Sequence, residues 1–229
     1  MVRSLASGSA KQRGLVAQVE TGEISTRARI LDAALKLFSR YGFAGTSVRQ
    51  LARAVGLRES SLYNHFPGKK AILEALIAEH GPASSLQRLE TARYRALAED
   101  PAGFCRQYAD DLLRLWGDPH EQLFMSLLMA EQAHMPELRD LFAEQLFARE
   151  QQRVIEYFRG FERKGLVRVP DVREAARLFQ AGMTFIRIEF YFLQRSPVPH
   201  AKIVTAVRRF LKSYLVLIGA ERAGRAKRK

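Results

Sequence analysis

Apolar residues recur along this chain at the spacing of helices, and no stretch alternates at the spacing of a half-buried strand. Ile30, Ala34, Leu37, Phe38 and Tyr41 fall on one helical face, with Ser25 or Thr26 available as N-cap and Gly42 as the end. A second, shorter stripe holds Val48, Leu51, Ala52 and Val55. Ser47 and Gln50 stand before it at capping-box spacing, and Gly56 stops it. A third short helix is predicted over 59–65, Pro67-Gly68 makes a turn, and a fourth over 69–80 buries Ile72, Leu73, Leu76 and Ile77. Some five longer helices follow. Their breaks fall near Gly81-Pro82, Asp100-Pro101, Gly117-Asp118-Pro119, His134-Met135-Pro136, 165–170 and 196–199, where Gly or Pro stops a helix. Asn-Gly and Asp-Gly hairpin turns are missing. The fold class is therefore all-α, with about nine helices.

Two of the predicted helices are unusually apolar. The one over 171–194 begins amphipathic, through Val172, Ala175, Ala176 and Phe179. Beyond Gly182 it is apolar nearly all round: Met183, Phe185, Ile186, Ile188, Phe190, Tyr191 and Phe192. A helix apolar on every side has to be covered on every side. The helix over 200–218 carries Ile203, Val207, Phe210, Leu211, Tyr214, Leu217 and Ile218 as one stripe. These two are the candidate subunit interface of a homodimer, since such interfaces are more apolar than ordinary surface.

Charge adds a partner. The chain has 229 residues, 37 Lys+Arg and 24 Asp+Glu, a net charge of +13. The excess sits at the two ends: residues 1–80 carry +6 and the last ten +4, while the long middle carries only +3. A basic N-terminal module facing a polyanion and a nearly neutral body with another task fit this division. Residues 1–24 have no periodicity and read as a disordered basic arm, whose Lys11 or Arg13 can reach a minor groove. Residues 220–229 read as a frayed basic tail. The single cysteine, Cys105, permits no internal disulfide and reads as a small buried apolar residue. With no signal-peptide pattern and no apolar run of the ~18 residues that span a membrane, the expected location is the cytoplasm, on the nucleoid.

The stretch 46–69, TSVRQLARAVGLRESSLYNHFPGK, places two short helices on either side of a tight turn at Gly56. That is the anatomy of a helix-turn-helix, whose second helix enters the major groove of double-stranded DNA. Glu59, Ser60, Ser61 and Asn64 give that helix a polar outer face, and Leu62 and Phe66 anchor it inward. The run Gly42-Phe43-x-x-Thr46-Ser47-Val48-x-x-Leu51-Ala52-x-x-x-Gly56-Leu57-x-x-x-x-Leu62-Tyr63-x-His65-Phe66-x-x-Lys69 closely resembles the signature of the TetR/AcrR family of transcription regulators.

The resemblance implies an N-terminal three-helix DNA-binding domain over 25–80 and a C-terminal helical domain over 81–219 for effector binding and dimerisation. It implies that Ser47 caps the first motif helix beside a phosphate and that Arg49 reaches a base edge or phosphate. Glu59, Ser60 and Ser61 would face bases, while Tyr63, His65 and Lys69 would hold phosphates. Arg58 departs from the family's small capping residue: it cannot cap, but it can reach a phosphate or a guanine. Glu59 facing DNA must accept from a cytosine amino group or pair with Arg58.

The family further implies a repressor that grips a palindromic operator and is released by a small molecule held in the body. The control of the same head by a protein partner is the alternative. Candidate effector contacts are the large side chains Phe104, Tyr108, Trp116, Phe124, Met125, Met129, Phe179 and Met183, although such a stripe is more often plain core, and Arg187. An Arg187 lining a pocket would favour an anionic effector over a merely apolar one. For an enzyme the chain offers no GxSxG, no phosphate-binding glycine loop, no HExxH and no CxxC, so neither catalysis nor a metal or cofactor is expected.

Overall fold

A computed structural model of the protein describes residues 25–80, 87–141, 143, 148–194, 196 and 198–220. The expected basic arm over 1–24 and nearly all of the expected tail over 220–229 lie outside the described residues. Eleven α-helices and one π-helical turn have both ends among the described residues, and no strand is found among them. In chain order they are α1 (Thr26–Gly45), α2 (Val48–Ala54), α3 (Glu59–Tyr63), α4 (Lys69–His80), α5 (Ala92–Arg95) and α6 (Pro101–Gly117). Then come α7 (Pro119–Glu131), α8 (Pro136–Leu141), α9 (Arg149–Arg163), α10 (Val172–Arg187) with the π-turn Ile188–Phe192 continuing it, and α11 (His200–Leu217). The two helices beyond the expected nine are the short α5 and α8, too brief to show a hydrophobic period.

Local chemistry sets the boundaries. Ser25 caps α1, its hydroxyl accepting from the Ala28 amide at 3.2 Å. Asp100, Asp118 and Asp171 cap α6, α7 and α10 in the same way, and Pro101 and Pro119 sit in the first turns where their missing N–H costs nothing. Gly42 takes φ +76° and kinks α1, which then runs one more turn to Gly45. A Cβ there would meet a Glu131 carboxylate oxygen at 2.9 Å, so both the backbone angle and the contact call for glycine.

Two cores result. The first joins α1–α4 around Ile30, Leu35, Phe38, Leu51, Leu62, Phe66, Ile72 and Leu76, and it includes Phe124, Met125, Leu127 and Leu128 of α7. The N-terminal head is therefore built on a helix that comes from the body. The second core joins α6, α9, α10 and α11 around a cluster of rings: Phe104 lies 4.6 Å from Tyr157, Tyr108 5.1 Å from Phe179, and Phe179 5.3 Å from Tyr214. Tyr41, expected on the buried face of α1, is instead 50% exposed, because the buried stripe closes with Phe38 and the kink at Gly42 follows.

Candidate nucleic-acid interface

Helix α2 opens with the capping box read from the sequence. The Ser47 hydroxyl accepts from the Gln50 amide at 3.2 Å, and the Gln50 side-chain oxygen accepts from the Ser47 amide at 2.7 Å. It closes in a Schellman turn: the Leu57 amide donates to Ala52 O at 2.9 Å and the Gly56 amide to Arg53 O at 3.2 Å, with Gly56 at φ +71°. Arg29 of α1 reaches across to the Val55 carbonyl at 2.9 Å, fastening the end of α2 to the head. Helix α3 then starts at Glu59 with Arg58 in the N-cap position and no side-chain cap, as an arginine there requires. The expected helix over 59–65 ends at Tyr63; Asn64 still has helical angles, and Leu62 and Phe66 anchor it with buried side chains.

The outer surface of this pair is polar and basic. Ser47, Arg49, Arg58, Glu59, Ser60, Tyr63, Asn64 and His65 are exposed, and Ser61 is half-buried. Tyr63 is 49% exposed, so its ring is not part of the head core. Arg49, Arg53, Arg58, Glu59 and Ser60 line a shallow surface depression of about 580 Å³, floored by Ala52, Gly56 and Leu57. Arg53 was missed from sequence, although it stands one helical turn after Arg49 on the same face. Arg27, whose guanidinium lies 4.9 Å from the Phe66 ring centre, adds another cation to the head.

Lys69 is placed differently from a freely reaching cation. Its ammonium donates to Phe43 O at 2.5 Å and Thr46 O at 2.8 Å, and sits 4.4 Å from the centre of the Phe43 ring. Two of its three N–H groups hold the turn that leads into α2. The same Phe43 donates its amide to Glu131 at the end of α7, at 2.9 Å. Buried Thr46 completes the turn, donating its hydroxyl to Gly42 O at 2.8 Å. The peptide before the motif is thus gripped from the head by Lys69 and from the body by Glu131. A second tie joins α7 to α1, His120 Nε2 lying 3.1 Å from Asp32, which also pairs with Lys36. Although partial burial raises the Asp32 pKa, its two basic neighbours win and hold that carboxyl below its ordinary range.

The candidate effector residues fall into separate groups. Phe104, Tyr108, Trp116, Phe179 and Met183 are buried in the body core, Phe124 and Met125 belong to the head core, and Met129 is 46% exposed. Arg187 pairs with Glu121 of α7 at 2.5 Å, both largely buried, and its guanidinium lies 5.7 Å from the Trp116 ring and 5.6 Å from that of Phe192. Burial raises the Glu121 carboxyl above its ordinary range against the pull of Arg187. A further buried polar cluster escaped the sequence reading: Arg88 pairs with Glu150, which also accepts from the Tyr108 hydroxyl at 2.8 Å. Arg88 and Glu150 stand 62 residues apart, and each looks like an ordinary charge on an amphipathic helix. Among the described residues no group of His, Cys, Asp and Glu could hold a metal, and no helix is long and apolar enough to cross a membrane.

A compact head carrying a two-helix motif with a polar, arginine-rich outer face, seated on an all-helical body, defines a helix-turn-helix protein. Comparison with known proteins makes it specific. Residues 30–76 match the model described as bacterial regulatory proteins, tetR family, and residues 105–216 match that of the AefR-like transcriptional repressor, C-terminal domain. The chain belongs to the TetR family of bacterial regulators. It is 36% identical over 70 residues to the probable helix-turn-helix transcriptional regulator YttP of Bacillus subtilis, a match covering 31% of this chain. The chain spans about a third of the length of the curated relatives it matches, 33% in the case of YttP. A TetR-family regulator from Mesorhizobium loti has the same fold, with a TM-score of 0.63 at 22% identity, covering 85% of this chain and 98% of that one. A regulator from Saccharomonospora viridis solved with choline gives a TM-score of 0.59 at 23% identity, covering 82% and 94%.

Proposed function

We propose that the protein is a sequence-specific transcription repressor that binds a palindromic DNA operator as a homodimer and is released from it by a small molecule held in the body. The observation that carries the DNA-binding half is the surface of α2 and α3: arginines 49, 53 and 58 around a shallow depression, beside exposed Tyr63, Asn64 and His65. Phosphate contacts would fall to Ser47, Tyr63, His65 and the third N–H of Lys69, and base contacts to Arg49, Arg58, Glu59, Ser60, Ser61 and Asn64. The repressor sense is supported by the match of residues 105–216 to a repressor family.

Dimerisation is supported by the apolar surface left open on α10, its π-turn and α11. Phe185 is 65% exposed, Leu193 71%, and Leu178, Ile188, Phe192, Val216 and Leu217 are exposed with them. Paired copies bring two heads to half-sites one helical turn apart, roughly 34–36 Å. The small-molecule half draws on the Saccharomonospora viridis relative bound to choline and on the ties from α7 to the head, Glu131 to Phe43 and His120 to Asp32. A ligand that prefers one setting of α7 would bias the spacing of the heads.

Footprinting on the DNA upstream of the protein's own gene tests the reading. Two protected half-sites one turn apart are expected. Protection without two-fold symmetry would overturn the palindrome and the dimer, and no protection at low salt would overturn DNA recognition there.

A further inference from the structure

Besides the depression at the motif, a second cavity of about 560 Å³ opens in the body, where the end of α6 and the start of α7 meet the π-turn and the start of α11. That volume lies within the range of small-molecule sites, roughly 300–1,000 Å³. The π-turn places Phe190 and Tyr191 together in its wall, and such turns gather at functional sites. Ile203 adds an aliphatic side chain, while Gln122, Gln194 and His200 supply hydrogen-bonding groups.

No lining side chain among the described residues carries a fixed charge. The nearby guanidinium of Arg187 is taken up by Glu121 and two aromatic faces. The Tyr191 phenol is neutral and able to donate, as an ordinary phenol is, and burial raises its pKa further. The Tyr191 ring meets that of Trp116 edge-on at 6.0 Å, and the buried Trp116 Nε1 has no hydrogen-bond partner in the structure.

We infer that this cavity is a binding site for an uncharged, flat aromatic molecule bearing hydroxyl or carbonyl groups, sandwiched against Phe190 and Tyr191 and hydrogen-bonded by Gln122, Gln194 and His200. As an effector site it rests on the regulatory reading above. Gln122 connects it to that reading: its side chain donates to Trp116 O at 2.8 Å, and it stands in the first turns of α7, two residues from His120, which faces Asp32 of the head. The anionic effector suggested by Arg187 is disfavoured, because that cation is already neutralised.

Calorimetric titration of the full chain, free of DNA, with 2-naphthol as probe tests the site, and 2-naphthoate serves as its anionic counterpart. Trp116, the only tryptophan, provides an emission signal at the same place. Saturable binding at one site per chain is expected, weakened at least tenfold by Ser196→Phe, which adds a ring to the cavity lining, and by Phe190→Ala, which removes an aromatic wall. Both variants should still unfold cooperatively. The naphthoate should bind at least tenfold more weakly than the naphthol. Absence of saturable binding to the unaltered chain, equal binding by both variants, or naphthoate binding as tightly as naphthol would overturn the inference. A naphthol-loaded protein with unchanged DNA affinity would uphold the site and refute only its role as an effector site.

Discussion

Replacing Lys69 with methionine separates two roles that meet in one side chain. The stem is kept and the ammonium is lost, and with it the bonds to Phe43 O and Thr46 O and the contact with the Phe43 ring. Hydrogen bonds from a charged donor contribute roughly 1.5–3 kcal/mol each when well enclosed. The cation–ring contact adds about 0.5–1 kcal/mol at a partly exposed site. Lys69 is only half-buried and water can reach part of the turn, so the lower ends apply and the expected loss is about 3.5 kcal/mol. For a chain of this size each kcal/mol moves the midpoint by about 2–4 °C, so Tm should fall by roughly 7–14 °C. Urea unfolding followed by circular dichroism gives the same quantity independently. A loss under about 0.5 kcal/mol, the size of an ordinary surface change, would refute the clamp. The phosphate role is read separately, on protein still folded at low temperature: losing one contact lowers the slope of log affinity against log salt by about 0.9 per protomer.

Other expectations follow from the same geometry. Tyr63→Phe should leave stability within about 0.5 kcal/mol, because the ring is exposed, and weaken DNA binding about 3- to 10-fold at every sequence; anisotropy titrations would measure it. Arg53→Ala should lower the salt slope by about 0.9 per protomer, and an unchanged slope would remove Arg53 from the interface. Phe185→Glu should leave a folded monomer in sedimentation velocity, since it charges the most exposed ring of α10. Glu121→Ala strands the buried Arg187 and should cost about 3–5 kcal/mol, while Glu121→Leu with Arg187→Met should recover most of it. The Glu121 pKa is raised on folding, so its contribution is full below the unfolded value near 4.5 and is lost as pH rises through the folded value. The double variant should lack that decline.

The motif was legible because its determinants are local. Ser47 and Gln50 stand three residues apart, Gly56 closes its own turn, and the Asp-Pro pairs start α6 and α7 where they stand. The connection of head to body was not legible, since Phe43 and Glu131 are 88 residues apart and Glu121 and Arg187 are 66 apart. Either carboxylate reads as a surface charge until the fold brings its partner. Phe124 and Met125 were assigned to the body by position along the chain, yet they fill the head core because α7 crosses under α1. The apolar run after Gly182 was visible, but its π-turn was not: hydrophobic periodicity does not distinguish a widened turn from a regular one. Residues 190 and 191, which that turn sets into the cavity wall, were therefore read only as interface.

The most direct measurement is the affinity of the full chain for a labelled duplex from the region upstream of its gene, followed by anisotropy across a salt series with a scrambled duplex of equal length beside it. The account predicts that the upstream duplex binds at least about 10³-fold more tightly at physiological salt, with both affinities falling as salt rises. Equal affinity for the two duplexes at every salt concentration would contradict sequence-specific recognition at that site by α3.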